Sequence, residues 1–282
     1  VILLFKTIGI VPRLDSDDAL NLAIKIYQYL KSRKLDTFPE VEFAKKKGFG
    51  QGVSLSKMEV DLIITIGGDG TVLKTSMSIP KPETPILAIN MGRRGYLTKV
   101  EPHQALIALK ECLQGKYDLE KHSKLSVYFR GKNIAEGVNE ALLTPAKPWK
   151  MLNFVLEQNN NKLIEQRADG LIIATPTGST AHSFSAGGPI LETSLHAFVV
   201  VFISPADYVR SLVLSSNNDI SIKLADTNMG ALLTVDGRYI QQLTPEESII
   251  IRESKNRTVF VKLNSSFWRR RLTRHKSETE IG

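Results

Sequence analysis

Asp61-Leu-Ile-Ile-Thr-Ile-Gly67-Gly68-Asp69-Gly70-Thr71-Val72-Leu73-Lys74 is the stretch that decides the fold. Its apolar run is unbroken, as in a buried strand, and it stops abruptly in glycines around one acid. The glycines strip side chains from the turn after the strand, so backbone N–H groups can approach a phosphate closely. Asp69 is left at the strand tip, where the reactive groups of α/β enzymes sit. A second run, Asp169-Gly-Leu-Ile-Ile-Ala-Thr-Pro-Thr-Gly-Ser-Thr-Ala-His-Ser-Phe-Ser-Ala-Gly-Gly-Pro189, repeats this grammar further along the chain. Two such runs point to an enzyme that handles phosphates.

The 282 residues fit one large domain or two ordinary ones. Hydrophobic residues at 42% and charged residues at 23% make a normal globular mix. A net charge of +8 suits anionic substrates such as nucleotides. The basic residues are mostly scattered, which weighs against nucleic acid as a partner. Their densest run, Trp268 to Lys276, reads as a solvated tail or a last helix. The lone cysteine, Cys112, excludes an internal disulfide and falls in an amphipathic helix pattern as a buried structural thiol. His103, His122, His182, His196 and His275 are dispersed without a metal-ligand pattern. No stretch is long and apolar enough to span a bilayer. Val1 to Phe5 is too short for a signal sequence and reads as a first strand, so a cytoplasmic location is expected.

Strand and helix signals alternate through the first third. Helical spacing over Asp15 to Lys31 puts Ala19, Leu22, Ala23, Ile26 and Leu30 on one face. Val60 to Ile66 and Pro85 to Asn90 are strands; Thr71 to Met77 and Pro102 to Leu113 are helices. That order predicts an α/β domain over 1–118 with a parallel, Rossmann-like sheet. From Ser123 onward the signals are short strands: Leu125 to Phe129, Met151 to Glu157, Leu171 to Ala174, Phe198 to Ile203, Asp219 to Lys223, Gly230 to Val235, Ile249 to Ile251 and Thr258 to Leu263. Turns at Gly131-Lys132-Asn133, Asn159-Asn160-Asn161 and Asp236-Gly237 separate them. This predicts an all-β, sandwich-type domain over 119–282, whose C-terminal segment is free to return to the first domain. There is no internal repeat and no low-complexity linker.

The motifs together resemble the NAD kinase family, which phosphorylates NAD to NADP. Gly67-Gly-Asp-Gly-Thr71 is similar to its first motif, and Asn90 with Gly92 to Leu97 to the segment after it. Gly137-Val-Asn139-Glu140 resembles its Asn-Glu motif, Asp169 to Pro189 its long glycine- and threonine-rich signature, and Val235-Asp236-Gly237 its late Asp-Gly pair. The motifs keep family order over residues 60–240. The Gly-Gly-Asp-Gly element alone is shared with lipid kinases and phosphofructokinases; the second signature is specific. His182 stands where the family usually has tyrosine. Ser204-Pro-Ala-Asp-Tyr-Val-Arg-Ser-Leu-Val213 replaces a Pro-x-x-Pro-His and Arg-Pro segment that carries a subunit contact in relatives.

The resemblance implies transfer from ATP or polyphosphate, with Mg²⁺ held mainly by the phosphates and Asp69 touching it at most through water. Asp69 would orient the ribose 2′-hydroxyl and accept its proton late, with positioning outweighing basicity. Gly67, Gly68, Gly70 and Thr71 would form the phosphate-side turn, Gly70 with a positive φ and Thr71 donating to phosphate or capping the next helix. The Walker ending is absent, and Lys74 either reaches an anion or is solvated. Asn139 suits an adenine edge or ribose, and Glu140 a hydroxyl, amino group or water. Asp169 would receive ribose hydroxyls or the nicotinamide amide. Thr175 to Thr180 would turn several short donors toward a phosphate or base. Thr180, Ala181, His182 and Ser185 match family positions lining the substrate site, and Gly187-Gly188-Pro189 closes the packing after them. Tyr96 matches an aromatic near the adenine or is a core residue. Arg93 and Arg94 meet phosphates or solvent; Arg167 contacts a subunit or the dinucleotide. Asp236 belongs to the dinucleotide site or is a hairpin turn. A homo-oligomer, dimer or tetramer, is implied, with no membrane or nucleic-acid partner. The competing readings are a lipid kinase of the diacylglycerol kinase type and a non-catalytic nucleotide or nucleic-acid binder.

Overall fold

The structure is a computed structural model and describes residues 5–92, 95–147, 150–225 and 229–263. Val1–Leu4 of the expected first strand, Arg93, Arg94, His275 and the basic run from Trp268 lie outside the described residues. Phe5 is buried but not in a strand, and β1 is Thr7–Pro12. Then follow α1 (Asp17–Ser32), β2 (Asp36–Pro39), α2 (Val41–Lys47), β3 (Leu62–Gly67), α3 (Asp69–Ser76), β4 (Ile86–Asn90) and α4 (Ala105–Leu113). Beyond them lie β5 (Tyr117–Phe129), β6 (Lys132–Gly137), β7 (Glu140–Pro145), β8 (Leu152–Gln158), β9 (Asn161–Ala174), α5 (His182–Ser185), β10 (Ala197–Pro205), β11 (Leu212–Ser215), β12 (Ile220–Leu224), β13 (Ala231–Val235), β14 (Arg238–Leu243) and β15 (Ser248–Leu263).

The chain divides into two units, one of residues through Lys121 and again from Thr258, the other His122–Arg257. In the first, β1 pairs in parallel with β2 and β3, and β3 with β4. Phe260 of β15 adds a parallel pair to Ile86 of β4. Every residue of β3 is buried because the sheet is covered on both faces. Leu62, Ile64 and Ile66 pack with α1 and α4 through Ala23, Ile26, Leu30 and Leu109, while Ile63 faces the other way toward Met58, Val72 and Phe260. That two-sided alternation turns an unbroken apolar run into a central strand. Cys112 is buried in the α4 packing, and its thiol is pushed up to about 12 by burial.

In the second unit the named pairings are antiparallel. β9 pairs with β7, β8 and β10, β13 bridges β7 and β14, and β12 bridges β8 and the start of β15. One apolar cluster, including Phe154, Leu171, Phe198, Leu233 and Ile249, lies inside these strands. Three expectations need correction. The helix after β3 begins at Asp69 rather than Thr71, since an acid suits the positive first turn. Ile249 to Ile251 and Thr258 to Leu263 are parts of one 16-residue strand. The strand expected over Leu171 to Ala174 is only the end of the 14-residue β9, which begins at Asn161 and holds Asp169 in its interior.

Candidate active site

Parallel pairing sets Gly67 opposite Asn90, so β3 and β4 end at the same edge of their sheet. Beyond β3, Gly68 is the extended N-cap of α3 and Asp69 its first residue. Gly67 leaves room for Thr71: a Cβ there would fall 2.3 Å from Thr71 Oγ1. The N-cap Gly68 has no side chain to cap α3, and Gly70 takes helical angles rather than the expected positive φ. A Cβ on Gly70 would meet nothing within 4 Å, so this turn is open on its outer side. Lys74, on α3, is exposed.

Beyond β4, the chain leaves at Asn90 and returns beside it at Val100, where Asn90 N donates to Val100 O at 2.7 Å. The excursion passes over Asp69. Tyr96 N donates to Asp69 Oδ2 at 3.0 Å; Leu97 N and Thr98 N donate to Oδ1 at 3.1 and 3.3 Å. The Thr98 hydroxyl lies 3.4 Å from Asp69 Oδ1 and 3.2 Å from Asn90 Oδ1, and the latter also accepts Gly92 N at 3.0 Å. Gly95 permits the approach, since a Cβ there would fall 2.0 Å from Thr98 Oγ1. Asp69 is half-buried. A carboxylate offers about four acceptor positions, and Oδ1 carries the heavier load, so Oδ2 keeps acceptor capacity for a further donor. Tyr96 is half-buried and contributes its backbone to this clasp.

In the second unit, Glu140 pairs with Ala174 of β9 and Ala141 with Val235 of β13. Thr175 and Asp236, each one residue past those strands, therefore flank Asn139 and Glu140. Asp236 and Gly237 both have positive φ, as a two-residue hairpin turn requires. The Asp236 residue is half-exposed at this turn, while its carboxyl group points inward. Oδ2 accepts Val138 N at 2.8 Å, and Oδ1 accepts Asn139 N at 2.8 Å and Glu140 N at 3.1 Å. Burial raises the Asp236 carboxyl above the ordinary range, opposed by these three N–H groups and the charge of Lys124. Glu140 is 9% exposed, and its Oε2 is buried without a hydrogen bond. Burial, then the neighbouring Asp236 charge, pushes Glu140 up to about 7.

The Thr175 to Thr180 segment is turned differently from the expectation. Its hydroxyls are spent inside the fold rather than offered outward. Thr175 Oγ1 donates to Val138 O at 2.5 Å and Thr177 Oγ1 meets His122 Nδ1 at 2.9 Å. Ser179 Oγ donates to Pro176 O at 2.6 Å and Thr180 Oγ1 to Thr177 O at 3.2 Å. The segment is buried throughout, so each hydroxyl needs a partner there. Gly178 presses on the Asn139 backbone, where a Cβ would fall 2.0 Å from the carbonyl oxygen. Gly188 packs on Ser183, a Cβ there falling 2.5 Å from its Oγ.

Two groups of expected residues are thus drawn together within their own units: Gly67 to Thr71 with Tyr96, and Asn139, Glu140 and Asp236. Ala181 is half-buried at the N-cap of α5, whose His182 and Ser185 are exposed. Arg167 and Asp169 lie two apart on the exposed face of β9. Thr98 and His122 had no sequence signal beyond their types. Among the described residues no three His, Cys, Asp or Glu side chains form a metal-binding group, and no helix is long and apolar enough to cross a membrane.

A family model described as the ATP-NAD kinase N-terminal domain matches residues 8–117, and one described as the ATP-NAD kinase C-terminal domain matches residues 138–263. The NAD kinase of Methanothermobacter thermautotrophicus is 37% identical over 268 residues, 93% of this chain and 94% of that protein. The NAD kinase of Thermococcus gammatolerans is 38% identical over 267 residues, 93% and 96% of the two chains. Among solved structures, an NAD kinase from Archaeoglobus fulgidus in complex with ATP superposes with a TM-score of 0.75 at 25% identity, covering 98% of this chain and all of that one. Yeast NADH kinase complexed with NADH shares the fold, with a TM-score of 0.83 at 20% identity over 98% of this chain and 87% of its own.

Proposed function

The chain belongs to the NAD kinase family and is an ATP-dependent phosphotransferase acting on NAD, and from that premise we propose how its residues divide the work. The γ-phosphoryl group of MgATP passes to the 2′-hydroxyl of the adenosine ribose, giving NADP. Asp69 orients that hydroxyl through Oδ2 and accepts its proton late in the transfer. The observation that carries this role is the clasp on residues 96–98, which fixes the carboxylate yet leaves it half-exposed with acceptor capacity. A held carboxylate needs little reorganisation when the hydroxyl arrives.

Gly67, Gly68, Gly70 and Thr71 face the phosphates, and the open space beside Gly70 admits them. The N-terminus of α3 adds its partial positive charge there. Mg²⁺ enters as part of the nucleotide substrate, held by phosphate oxygens, with Asp69 in reach through water. Lys74 attracts the anionic donor. Asn139 and Glu140 receive the adenosine end of the dinucleotide, with Thr180, Ala181, His182 and Ser185 bounding it, and Arg167 and Asp169 serving the far end; Tyr96 holds Asp69 through its backbone N–H. The active protein is a homo-oligomer, dimer or tetramer, in the cytoplasm, without membrane or nucleic-acid partners; light scattering at micromolar concentration checks the assembly. ATP is the favoured donor over polyphosphate because the relatives' family description names it.

Purified protein incubated with NAD, Mg²⁺ and either ATP or polyphosphate tests the reading. NADP, read with an NADP-specific dehydrogenase, is expected with ATP. Absence of NADP with both donors would contradict it.

A further inference from the structure

The backbone of Val138, Asn139 and Glu140 has six polar groups, and two side-chain-bearing residues account for all of them. Three N–H groups donate to the Asp236 carboxylate. The Val138 carbonyl accepts Thr175 Oγ1 at 2.5 Å, the Asn139 carbonyl accepts Thr175 N at 2.8 Å, and the Glu140 carbonyl accepts Asp236 N at 3.0 Å. Thr175 Oγ1 also accepts Gly178 N at 3.0 Å, tying Gly178 against the Asn139 backbone. Gly137 gives the clasp its clearance, since a Cβ there would fall 2.6 Å from Val235 and 3.1 Å from Asp236 Oδ1. A segment with every backbone group spoken for has one conformation, so its side chains leave the backbone in fixed directions.

We infer that Asp236 and Thr175 are positioning residues of the phosphoryl transfer: they touch no substrate, and they act by fixing the Val138–Glu140 backbone so that Asn139 and Glu140 meet the dinucleotide. This rests on the reading that Asn139 and Glu140 bind the adenosine end. It moves Asp236 out of direct contact with NAD, because its carboxylate is turned inward onto three N–H groups. It also gives the orphaned Glu140 Oε2 a purpose, as a buried polar atom held ready for a ligand hydroxyl or amine. A second consequence is electrostatic. Burial is the larger cause of the raised Glu140 titration and the adjacent Asp236 charge adds to it, so removing that charge lowers the pH at which Glu140 ionises. Lys124 of β5 also acts on Asp236, and its Nζ is 3.1 Å from Glu136 Oε2 on β6.

The test is steady-state kinetics of the full chain from pH 6 to 9, with NAD varied at saturating MgATP. Asp236→Asn keeps the shape, removes the charge and turns an amide toward N–H donors. The KM for NAD is expected to rise at least tenfold while kcat changes less than threefold, and the inflection in KM with pH is expected to move to lower pH. Thr175→Val should raise KM in the same way, and Thr175→Ser, which retains the hydroxyl, should restore it. This pair decides the matter if Asp236→Asn does not fold. A fall in kcat with unchanged KM, or an unmoved pH inflection, would overturn the proposal by making Asp236 a direct participant or an inert turn residue. Wild-type NADP formation in the same assay separates the two levels: an inactive wild type fails the functional reading, whereas an active wild type with an unperturbed Asp236→Asn fails only this one.

Discussion

Asp69 takes the N–H groups of Tyr96, Leu97 and Thr98 on its carboxylate, and Asp236 takes those of Val138, Asn139 and Glu140. In both, the first N–H goes to Oδ2 and the next two to Oδ1. In both, a glycine, Gly95 or Gly137, precedes the clasped residues and leaves the space that a Cβ would fill. The surroundings differ. Asp69 is half-buried at the first turn of a helix, beside an open glycine turn. Asp236 turns its carboxyl inward beside Glu140, a second acid that is itself buried. On the proposed roles, the same clasp serves a reacting group where the acid borders an open turn, and a structural strut where the carboxyl is turned inward. Backbone N–H donors position a carboxylate; burial decides whether it has anything left to do.

The largest expected effect separates the two by turnover. Asp69→Asn keeps an acceptor for the loop and removes the negative charge, so kcat should fall about 10³-fold, in the range of a lost general base. Coupled NADP formation measures it, and near wild-type turnover would erase the distinction from the first acid's side.

Glu140 sharpens the comparison through pH. Its folded pKa of about 7 stands above the ordinary 4.5, so the folded chain holds this proton more tightly than the unfolded one. The associated stability is fully present below about pH 4.5 and is lost as pH rises through about 7. The loss is on the order of 3 kcal/mol at about 1.4 kcal/mol per unit. Glu140→Gln, neutral throughout, should be flat across this window and more stable than wild type at pH 8.5. Urea unfolding at pH 5.5 and 8.5 checks this, and equal pH dependence in both proteins would show that Glu140 is not held neutral.

A smaller effect is steric. Gly178→Ala places a methyl group against the Asn139 carbonyl, a backbone atom that cannot swing away. It should lower stability by about 2 kcal/mol, as overpacking does, and denaturant unfolding reads it. Unchanged stability would mean that the second clasp is looser than its hydrogen bonds imply. The smallest effect is at His182, exposed on α5 outside both clasps. His182→Tyr should alter the KM for NAD a few-fold and leave kcat alone; a large fall in kcat would make His182 a participant.

The two halves of the molecule were unequally legible in sequence. β3 was readable because an unbroken apolar run ending in glycine has few alternatives, and α1 because its buried Ala19, Ala23, Ile26 and Leu30 recur at helical spacing. β2 and α2 were missed because four and seven residues carry too little periodicity. β15 looked like two strands because Ser254 to Arg257 is polar, yet those residues bond within the strand region and to Glu136. Motifs marked Asp69, Glu140 and Asp236 but not what each acid grips. The clasp partners lie 27 to 29 residues away for Asp69 and 96 to 98 for Asp236, so only the sheet register brings them together. The Thr175 to Thr180 hydroxyls were visible as residue types, but their inward direction is set by burial, which no local pattern records.

Calorimetric titration of NAD onto Asp69→Asn and Asp236→Asn, side by side with wild type, tests the division between the two acids most directly. The account predicts that Asp69→Asn binds NAD within about threefold of wild type, because its charge serves the transfer step, whereas Asp236→Asn loses at least tenfold in affinity (about 1.4 kcal/mol). Weakened binding in Asp69→Asn together with wild-type affinity in Asp236→Asn would contradict it.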